Sequence, residues 1–563
     1  MFNFKDKSPK ESISNAKKLM DNLGIKVREI WYESNIVGLY SVRLLIRNAY
    51  KYGVNGKGIS KEYALASAYG ELVERLGNGI LLKNKELYFT DGPFPYFPDE
   101  YEIEARKLDI KTNEIIKSLI KKIGATSAVS WSRLCDAYNF DFVKCIRFKS
   151  NINEQIQLDV PLTLLKSYGS NGMACGNTYE EAFVQSFSEI VERYCLKEIL
   201  AKKICPPIIP LSNIKQLSNS LCNSVEKIKK NKLKIEFRDC SLGRGFPVVC
   251  VCIYDKKKHS NIINFGAHPC IEVALERALT EAFQGKNIDN VTFPINLQNT
   301  NERYNKFNII KNGIGSYPYN FYSKKFSYKF SSIKPRKFDS NIELKSYIIN
   351  FCKEKQINIY SHGIKLGDFY CIHLIIPGMS EIFEYDELML RNIQMRSALS
   401  RIEYLDVGDE TQQRLILEYI DYIRKNPDFG GNLSKNIDDK SVRQDSNNRE
   451  YVYLKILIRG FFRLGEYDRV LYYLERTKPF MKLDINLCLR ILTDIKKYGS
   501  GNEDAINITK NFFSNSIIKQ SLEFLKEKET NPFFYSYSSK DNSSCFCKWL
   551  NSVVLLKRNM IPL

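Results

Sequence analysis

The stretch ALASAYGELVERL, residues 64–76, sets two glutamates and an arginine, Glu71, Glu74 and Arg75, among small and apolar residues. Read alone it is an amphipathic helix with a solvated acidic face. The pattern recurs in AFVQSFSEIVERY (182–194) and ALERALTEAFQGK (274–286). In a common register the key glutamates are Glu71, Glu189 and Glu281. Each has an alanine seven residues before it, an aromatic or leucine two before, and Gly, Ser or Thr immediately before. Three residues later stand Glu74, Glu192 and Gln284, one turn away on the same helical face, followed by Arg75, Arg193 and Gly285. A solvated face needs no repeated small residue beside each carboxylate, whereas helices converging on a shared site do.

Carboxylates brought together raise one another's pKa, so such a cluster calls for a cation. Oxygen donors without His or Cys suit Mg2+ rather than zinc or iron, and Mg2+ held by a few carboxylates completes its shell with substrate phosphates. Guanidinium groups then take the remaining phosphate oxygens. The repeat therefore predicts a site for a nucleoside triphosphate with Mg2+. Two glycine-containing turns, NGKGIS (55–60) and SNGMACGNT (170–178), precede the first two helices, where backbone N–H groups favour an anion. Neither matches a P-loop or a Rossmann fingerprint, which excludes the known mononucleotide loops.

The chain has 563 residues, more than one hydrophobic core usually organises, and is 44% hydrophobic and 26% charged, as globular proteins are. Residues 1 to about 400 alternate helical periods with β-branched or aromatic runs: GLYSVRLLI (38–46), KIEFRDCS (234–241), FPVVCVCIYD (246–255), NIINFGAH (261–268), INIYSHGI (357–364) and FYCIHLIIPG (369–378). An α/β (α+β) body follows, with mixed sheets covered by helices. Residues 425–450 read as a linker rich in Asn, Asp, Ser and Gly. Residues 451–480 read as two helices joined at Leu464–Gly465, the texture of a tetratricopeptide-like hairpin or of an ordinary helical bundle. The domain limits expected are 1–405, a connecting segment 406–450, and an all-α region 451–563.

The N-terminus has no apolar run of signal-peptide length and no stretch is long enough to span a bilayer, so a cytoplasmic location without membrane attachment is expected. Fifteen scattered cysteines, including Cys250/Cys252 and Cys545/Cys547, form no zinc spacing and read as reduced thiols. The net charge of +20 admits an RNA or ribosome partner. Lysine spread along the whole chain gives a compositional account that serves equally well.

Taken together, NGKGISKEYALASAYGELVER, SNGMACGNTYEEAFVQSFSEIVERY and FGAHPCIEVALERALTEAFQGK resemble the YcaO family, ATP-using proteins whose nucleotide site is built from helix glutamates. The resemblance covers nearly the whole chain. It implies that Glu71, Glu74, Glu181, Glu189, Glu192 and Glu281 bind Mg2+. It implies too that Lys5, Ser12, Glu74, Asn177, Glu192, Arg193 and Arg277 contact ATP, Arg193 and Arg277 through phosphate. Asn15, Ala174 and Lys286 depart from the family pattern, which has arginine, commonly serine, and arginine there. The implied chemistry is phosphorylation of an amide carbonyl oxygen by ATP, followed by replacement of the phosphate by a nucleophile. No residue of this chain is assigned as that nucleophile.

Two subgroups of the family fit differently. Azoline or thioamide formation on a ribosomally made peptide is one; members that make azolines commonly end in Pro-x-Pro-x-Pro and work with a peptide-binding partner, whereas this chain ends LLKRNMIPL. The subgroup with a helical extension implies an accessory factor for β-methylthiolation of a small-subunit ribosomal protein by the radical enzyme RimO, and a homodimer. A non-catalytic nucleotide-binding adaptor is a third reading, opposed by the complete set of carboxylates. His268 and Cys175 each admit a site role, with structural packing the simpler account.

Overall fold

Each repeat is a strand followed within a few residues by a helix, and glycine sets how closely the two lie. The computed structural model describes residues 4–33, 38–47, 53–79, 97–138, 140–217, 219–286, 292–294, 305–306, 308–310, 313, 315–331, 335–399, 410–425, 449–499, 501–527, 555–556 and 558–563. The helices that build the site are α1 (Pro9–Asn22), α2 (Lys61–Gly77), α3 (Tyr179–Ala201) and α4 (Ile271–Ala282). The last three carry the repeats. Before them run β3 (Gly53–Gly58), β7 (Met173–Gly176) and β10 (Ser260–Ala267).

These three strands belong to three different sheets. The first sheet has the order β1 (Val27–Glu33), β2 (Tyr40–Ile46), β3. The second runs β4 (Tyr101–Glu104), β5 (Phe142–Ser150), β12 (Tyr360–Leu366), β13 (Phe369–Ile375), β7, with β6 (Gln157–Pro161) on β5. The third runs β11 (Phe293–Pro294), β10, β9 (Val248–Asp255), β8 (Lys234–Asp239). Every pairing among the described strands is antiparallel, so the expected α+β class stands while its sheets are not mixed. Hairpins β2–β3, β9–β10 and β12–β13 make the connections, where parallel pairs would need crossover helices.

The glycine-containing stretches expected as turns are largely strand: NGKG lies in β3 and MACG is β7. Only Ile59–Ser60 and Asn177–Thr178 turn the chain into its helix. The repeated alanines explain why. A Cβ on Gly56 would collide with the Ala64 carbonyl and the Ala68 amide, and one on Gly266 with the Ala274 carbonyl and the Ala278 amide. In the second copy a Cβ on Gly176 would stand 2.5 Å from the Ala182 amide. The repeated alanines thus serve helix-on-own-strand contact, not the helix-to-helix approach expected from sequence. Ala174, the register equivalent of Gly56 and Gly266, is fully buried at the same level.

Each repeat helix also reaches a neighbouring sheet. Helix α2 packs on β3 and β2 and touches β7 and β13; α3 packs on β7 and β13 and touches β10 and β9; α4 packs on β10 and β9 and touches β3. Gln284 Nε2 donates to the Asn55 carbonyl at 3.1 Å and the Gly285 amide to Ser41 Oγ at 3.0 Å, fastening the third unit to the first. Sheets and helices therefore alternate around a closed ring. Helix α3, between two sheets, buries Phe183, Phe187, Ile190 and Ile199 with Val248, Cys250 and Phe265 in one core.

The chain divides into two compact units. The first comprises Met1–Trp131, Asp141–Tyr385 and Ser539–Leu563; the second comprises Ser132–Phe140 and Asp386–Ser538. These limits differ from those expected at 405 and 451. Glu410–Lys425, within the expected connecting segment, is a helix that packs on Arg449–Arg463, because Ile416, Leu417 and Ile420 join the core of the helical unit. At the other end β14 (Met560–Pro562) pairs with β12 in the first unit. Residues 426–448, most of the expected linker, and Cys545/Cys547 lie outside the described residues. The helices at 449–463 and 467–477 meet at Leu464–Glu466, where Gly465 has φ +71, a conformation glycine adopts without strain. Among the described residues no helix is long and apolar enough to cross a membrane.

The close packing is testable with two glycines of one unit. Gly56→Ala should destabilise the chain by about 1–3 kcal/mol or more, the overpacking range. Gly70→Ala, whose Cβ would meet nothing within 4 Å on helix α2, should be neutral or stabilising by about 0.5–1 kcal/mol. Equal denaturant midpoints for the two variants would contradict this packing.

Candidate functional site

The repeat helices direct their acidic faces to one place. Arg75 bridges Glu71 and Glu74 at 3.1 and 3.2 Å. Arg193 Nε donates to Glu189 at 3.0 Å while its Nη1 donates to the Ile310 carbonyl at 2.8 Å. Glu74 faces Glu189 and Glu71 as well as both arginines, so the first two copies share one acidic cluster. Lys57 of β3 pairs with Glu281 and faces Glu71, Glu189 and Glu192, so its charge acts on the key glutamate of every copy. Arg277 donates to Gln185 and faces Glu192. Gln185 and Arg277 occupy the same repeat position, four residues before their key glutamates.

Burial and neighbouring charges shift the pKa values of the cluster. Burial, with Glu189 and Glu71 adding to it against Arg75 and Arg193, pushes Glu74 up to about 8. Burial also raises Glu192, although Arg277 and Arg193 oppose it. Burial brings Lys57 down to about 8, with Arg277 contributing and the glutamates resisting.

A second group assembles where α3 begins. Ser8 caps α1 through the Glu11 amide at 3.2 Å, with Pro9 in the first turn, and this fixes the N-terminal segment. Lys5 Nζ lies 2.9 Å from Glu181, the Asp6 amide donates to Glu181 at 3.1 Å, and Ser12 Oγ donates to Asn177 Oδ1 at 2.9 Å. Asn177 Nδ2 in turn donates to Glu181 at 2.9 Å. Burial alone would raise Glu181, but Lys5, Asn177 and the Asp6 amide together lower it. Lys5, Ser12, Asn177 and Glu181 therefore come together across more than 160 residues of sequence. On α3 the polar stripe Glu181, Gln185, Glu189, Glu192 runs along one face, about 16 Å at 1.5 Å per residue.

Several expectations change in detail. Glu181 stands apart from the other carboxylates, since it lies two turns before Glu189 on α3 and is engaged by Lys5 and Asn177. The helix starts expected to receive an anion are in part capped within the chain. Ser60 and Thr178 accept from the Tyr63 and Glu181 amides, and Glu181 also accepts from the Asn177 amide. His268 is a turn residue: its Nδ1 accepts from the Cys270 amide at 3.1 Å, and burial with Arg277 and Lys5 nearby holds it neutral at about 3. Burial pushes the Cys175 thiol well up beside Cys371, its cross-strand partner. Lys57 and Gln185 were missed. Both lie inside quoted motifs, and the signal was positional: Lys57 alternates with the buried Val54, Gly56 and Gly58 of β3, so it faces the site.

As the side chains stand, no three His, Cys, Asp or Glu among the described residues are arranged to hold a metal, because the arginines and Lys57 engage the carboxylates. The donor chemistry nonetheless suits Mg2+ and a polyphosphate: oxygen donors alone, with Glu74 and Glu192 raised first by burial and then by neighbouring carboxylates, beside guanidinium groups.

The family model described as YcaO cyclodehydratase, ATP- and Mg2+-binding, matches residues 55–380. The chain belongs to the YcaO family. Membership brings ATP and Mg2+ as its cofactors. The ribosomal protein S12 methylthiotransferase accessory factor YcaO of Escherichia coli (strain K12) is 28% identical over 434 residues, 74% of this chain and 73% of that protein. An uncharacterized protein of Haemophilus influenzae is 28% identical over 430 residues, 74% and 72% of the two chains. Among solved structures, a heterocyclase in complex with substrate and cofactor aligns with TM-score 0.49 and 16% identity, over 68% of this chain and 54% of its own. This chain thus spans about half of that heterocyclase. YcaO from Methanopyrus kandleri bound with AMPPCP and Mg2+ aligns with TM-score 0.41 and 16% identity, over 67% and 93%.

The raised Glu74 has a measurable consequence. The folded chain keeps a proton that an unfolded glutamate has released above about 4.5, so stability falls as pH rises from there towards about 8. In metal-free buffer Glu74→Gln should remove a part of this slope on the order of 2 kcal/mol. Parallel thermal-melting profiles for wild type and variant between these pH values would contradict it.

Proposed function

We propose that this YcaO protein uses Mg2+ and ATP to activate an amide carbonyl by phosphorylation, in the service of β-methylthiolation of a small-subunit ribosomal protein. The observation that carries the reading is the convergence of Glu71, Glu189, Glu192 and Glu281 on Lys57, with Glu74 facing Glu71 and Glu189, and Arg193 and Arg277 beside them. The five glutamates hold the metal. Arg193 and Arg277 take phosphate oxygens, and the forked guanidinium shape suits that role. Lys5, Ser12 and Asn177 line the far end of the α3 stripe, where Glu181 orients Lys5 and Asn177.

ATP with Mg2+ supplies the phosphoryl group that makes an amide oxygen a leaving group. The chain's own contribution is positioning and charge neutralisation, which phosphoryl transfer mostly requires. Among the described residues the cluster holds no activated nucleophile: Cys175, a thiol that Glu74 and Glu181 act on, has its pKa pushed well up by desolvation. The group that replaces phosphate therefore comes from the substrate or from a partner.

The accessory role is supported by similarity that extends beyond the family domain, over 434 residues, to a protein named as such a factor. In this reading RimO and the ribosomal protein are the partners, the chain is a homodimer in the cytoplasm, and residues 451–527 recruit a protein through their stacked helices. The family's description as cyclodehydratases favours a second reading, azoline or thioamide formation on a ribosomally made peptide.

Glu189→Gln should abolish Mg2+–ATP binding in calorimetry, and wild-type affinity in that variant would sink the site. Deleting the gene should lower methylthiolation of the ribosomal protein by mass spectrometry. Unchanged methylthiolation, with a precursor-peptide gene nearby, would favour the peptide-modifying reading.

A further inference from the structure

The carboxylate cluster already contains a cation of its own. Lys57 reaches it from the middle of β3, keeping about a quarter of its side chain exposed, 26%. It is the one strand residue of the three repeats to bring a charge: fourteen residues before the key glutamates stand Lys57, Cys175 and Ala267. Gly56 and Gly58 pack against α2, so the backbone that carries Lys57 is held in place. Ser41, its cross-strand partner, accepts from the Gly285 amide in the turn after α4, which brings Glu281 to the same point. Lys57 pairs with Glu281 and faces Glu71, Glu189 and Glu192, each of which is otherwise proposed to bind metal.

The hub thus holds five carboxylates, Glu71, Glu74, Glu189, Glu192 and Glu281, against four cations, Lys57, Arg75, Arg193 and Arg277. The two charges are nearly balanced by the protein alone. A divalent ion arriving by itself meets carboxylates already paired, and it must compete for them with an ammonium whose anions are those same glutamates. A triphosphate offers that ammonium a new partner.

We propose that Lys57 makes metal entry depend on nucleotide: its ammonium occupies the hub as a built-in cation that excludes free Mg2+, and the bound triphosphate draws it off the carboxylates onto a phosphate oxygen. This rests on the nucleotide reading of the site given above. Lys57 is then both a metal gate and a phosphate contact, whereas Arg75, clamped between two glutamates of its own helix, stays a positioning residue.

Mn2+, read by electron paramagnetic resonance, replaces Mg2+ as the probe and AMPPCP replaces ATP. Wild type should immobilise Mn2+ only when AMPPCP is present. Lys57→Met, which keeps the aliphatic stem, should bind Mn2+ without nucleotide at least about tenfold more tightly than wild type, and AMPPCP about tenfold more weakly. Lys57→Arg, which keeps the charge, should follow wild type, and circular dichroism establishes that each variant is folded. Nucleotide-free Mn2+ binding by wild type as tight as that with AMPPCP overturns the gate without needing any variant. A folded Lys57→Met with wild-type behaviour towards both probes overturns it as well. A wild type that binds no Mn2+ even with AMPPCP overturns the nucleotide reading itself, and this inference with it.

Discussion

Like charges buried together must be paid for by partners, and the body of this protein is arranged around that requirement. Helices α2, α3 and α4 bring carboxylates to one point, and burial raises Glu74 and Glu192 even with guanidiniums beside them. No single sheet supplies enough opposite charge. Lys57 comes from the first sheet, Arg193 from the helix on the second and Arg277 from the helix on the third. The ring of alternating sheets and helices is what allows each copy's carboxylate to face another copy's cation, as Glu281 faces Lys57 and Glu192 faces Arg277.

The close strand–helix contact is the other half of this arrangement. With Gly56 against Ala64 and Ala68, and Gly266 against Ala274 and Ala278, the helix backbone lies nearly on its strand. Helix α3 shows how far this goes, since more than half of its residues are buried, while Glu181, Gln185, Glu189 and Glu192 form a polar stripe along one face. Charge at a helix face between two sheets is tolerated where partners from other elements reach it.

Much of this was legible in the sequence. The threefold register picked out Glu71, Glu189 and Glu281 because a helix repeats its faces every three to four residues, and that local rule needs no tertiary knowledge. The family resemblance supplied Lys5 and Ser12, which no periodicity marks; they meet Asn177 and Glu181 through contacts spanning 165 residues or more. What was not legible depended on pairing between distant strands. NGKGIS and SNGMACGNT read as turns because glycine is a poor strand former, yet hydrogen bonds from β2 and β13 hold both as edge strands. Lys57 was hidden for the same reason, since its direction is defined only once its stretch is a strand. The end of the chain was misjudged likewise: MIP continues a helical region in sequence, while its backbone pairs with β12, and Gly363 leaves the room that Leu563 fills.

The ring has a thermodynamic implication. A site assembled from three sheets belongs to none of them, so no sheet can melt without dismantling it. A ligand bound there would tie the opening of all three sheets to one event, merging separate local unfolding steps into a single cooperative transition. The first unit should therefore exchange its backbone amides as separate blocks when empty and as one block when loaded.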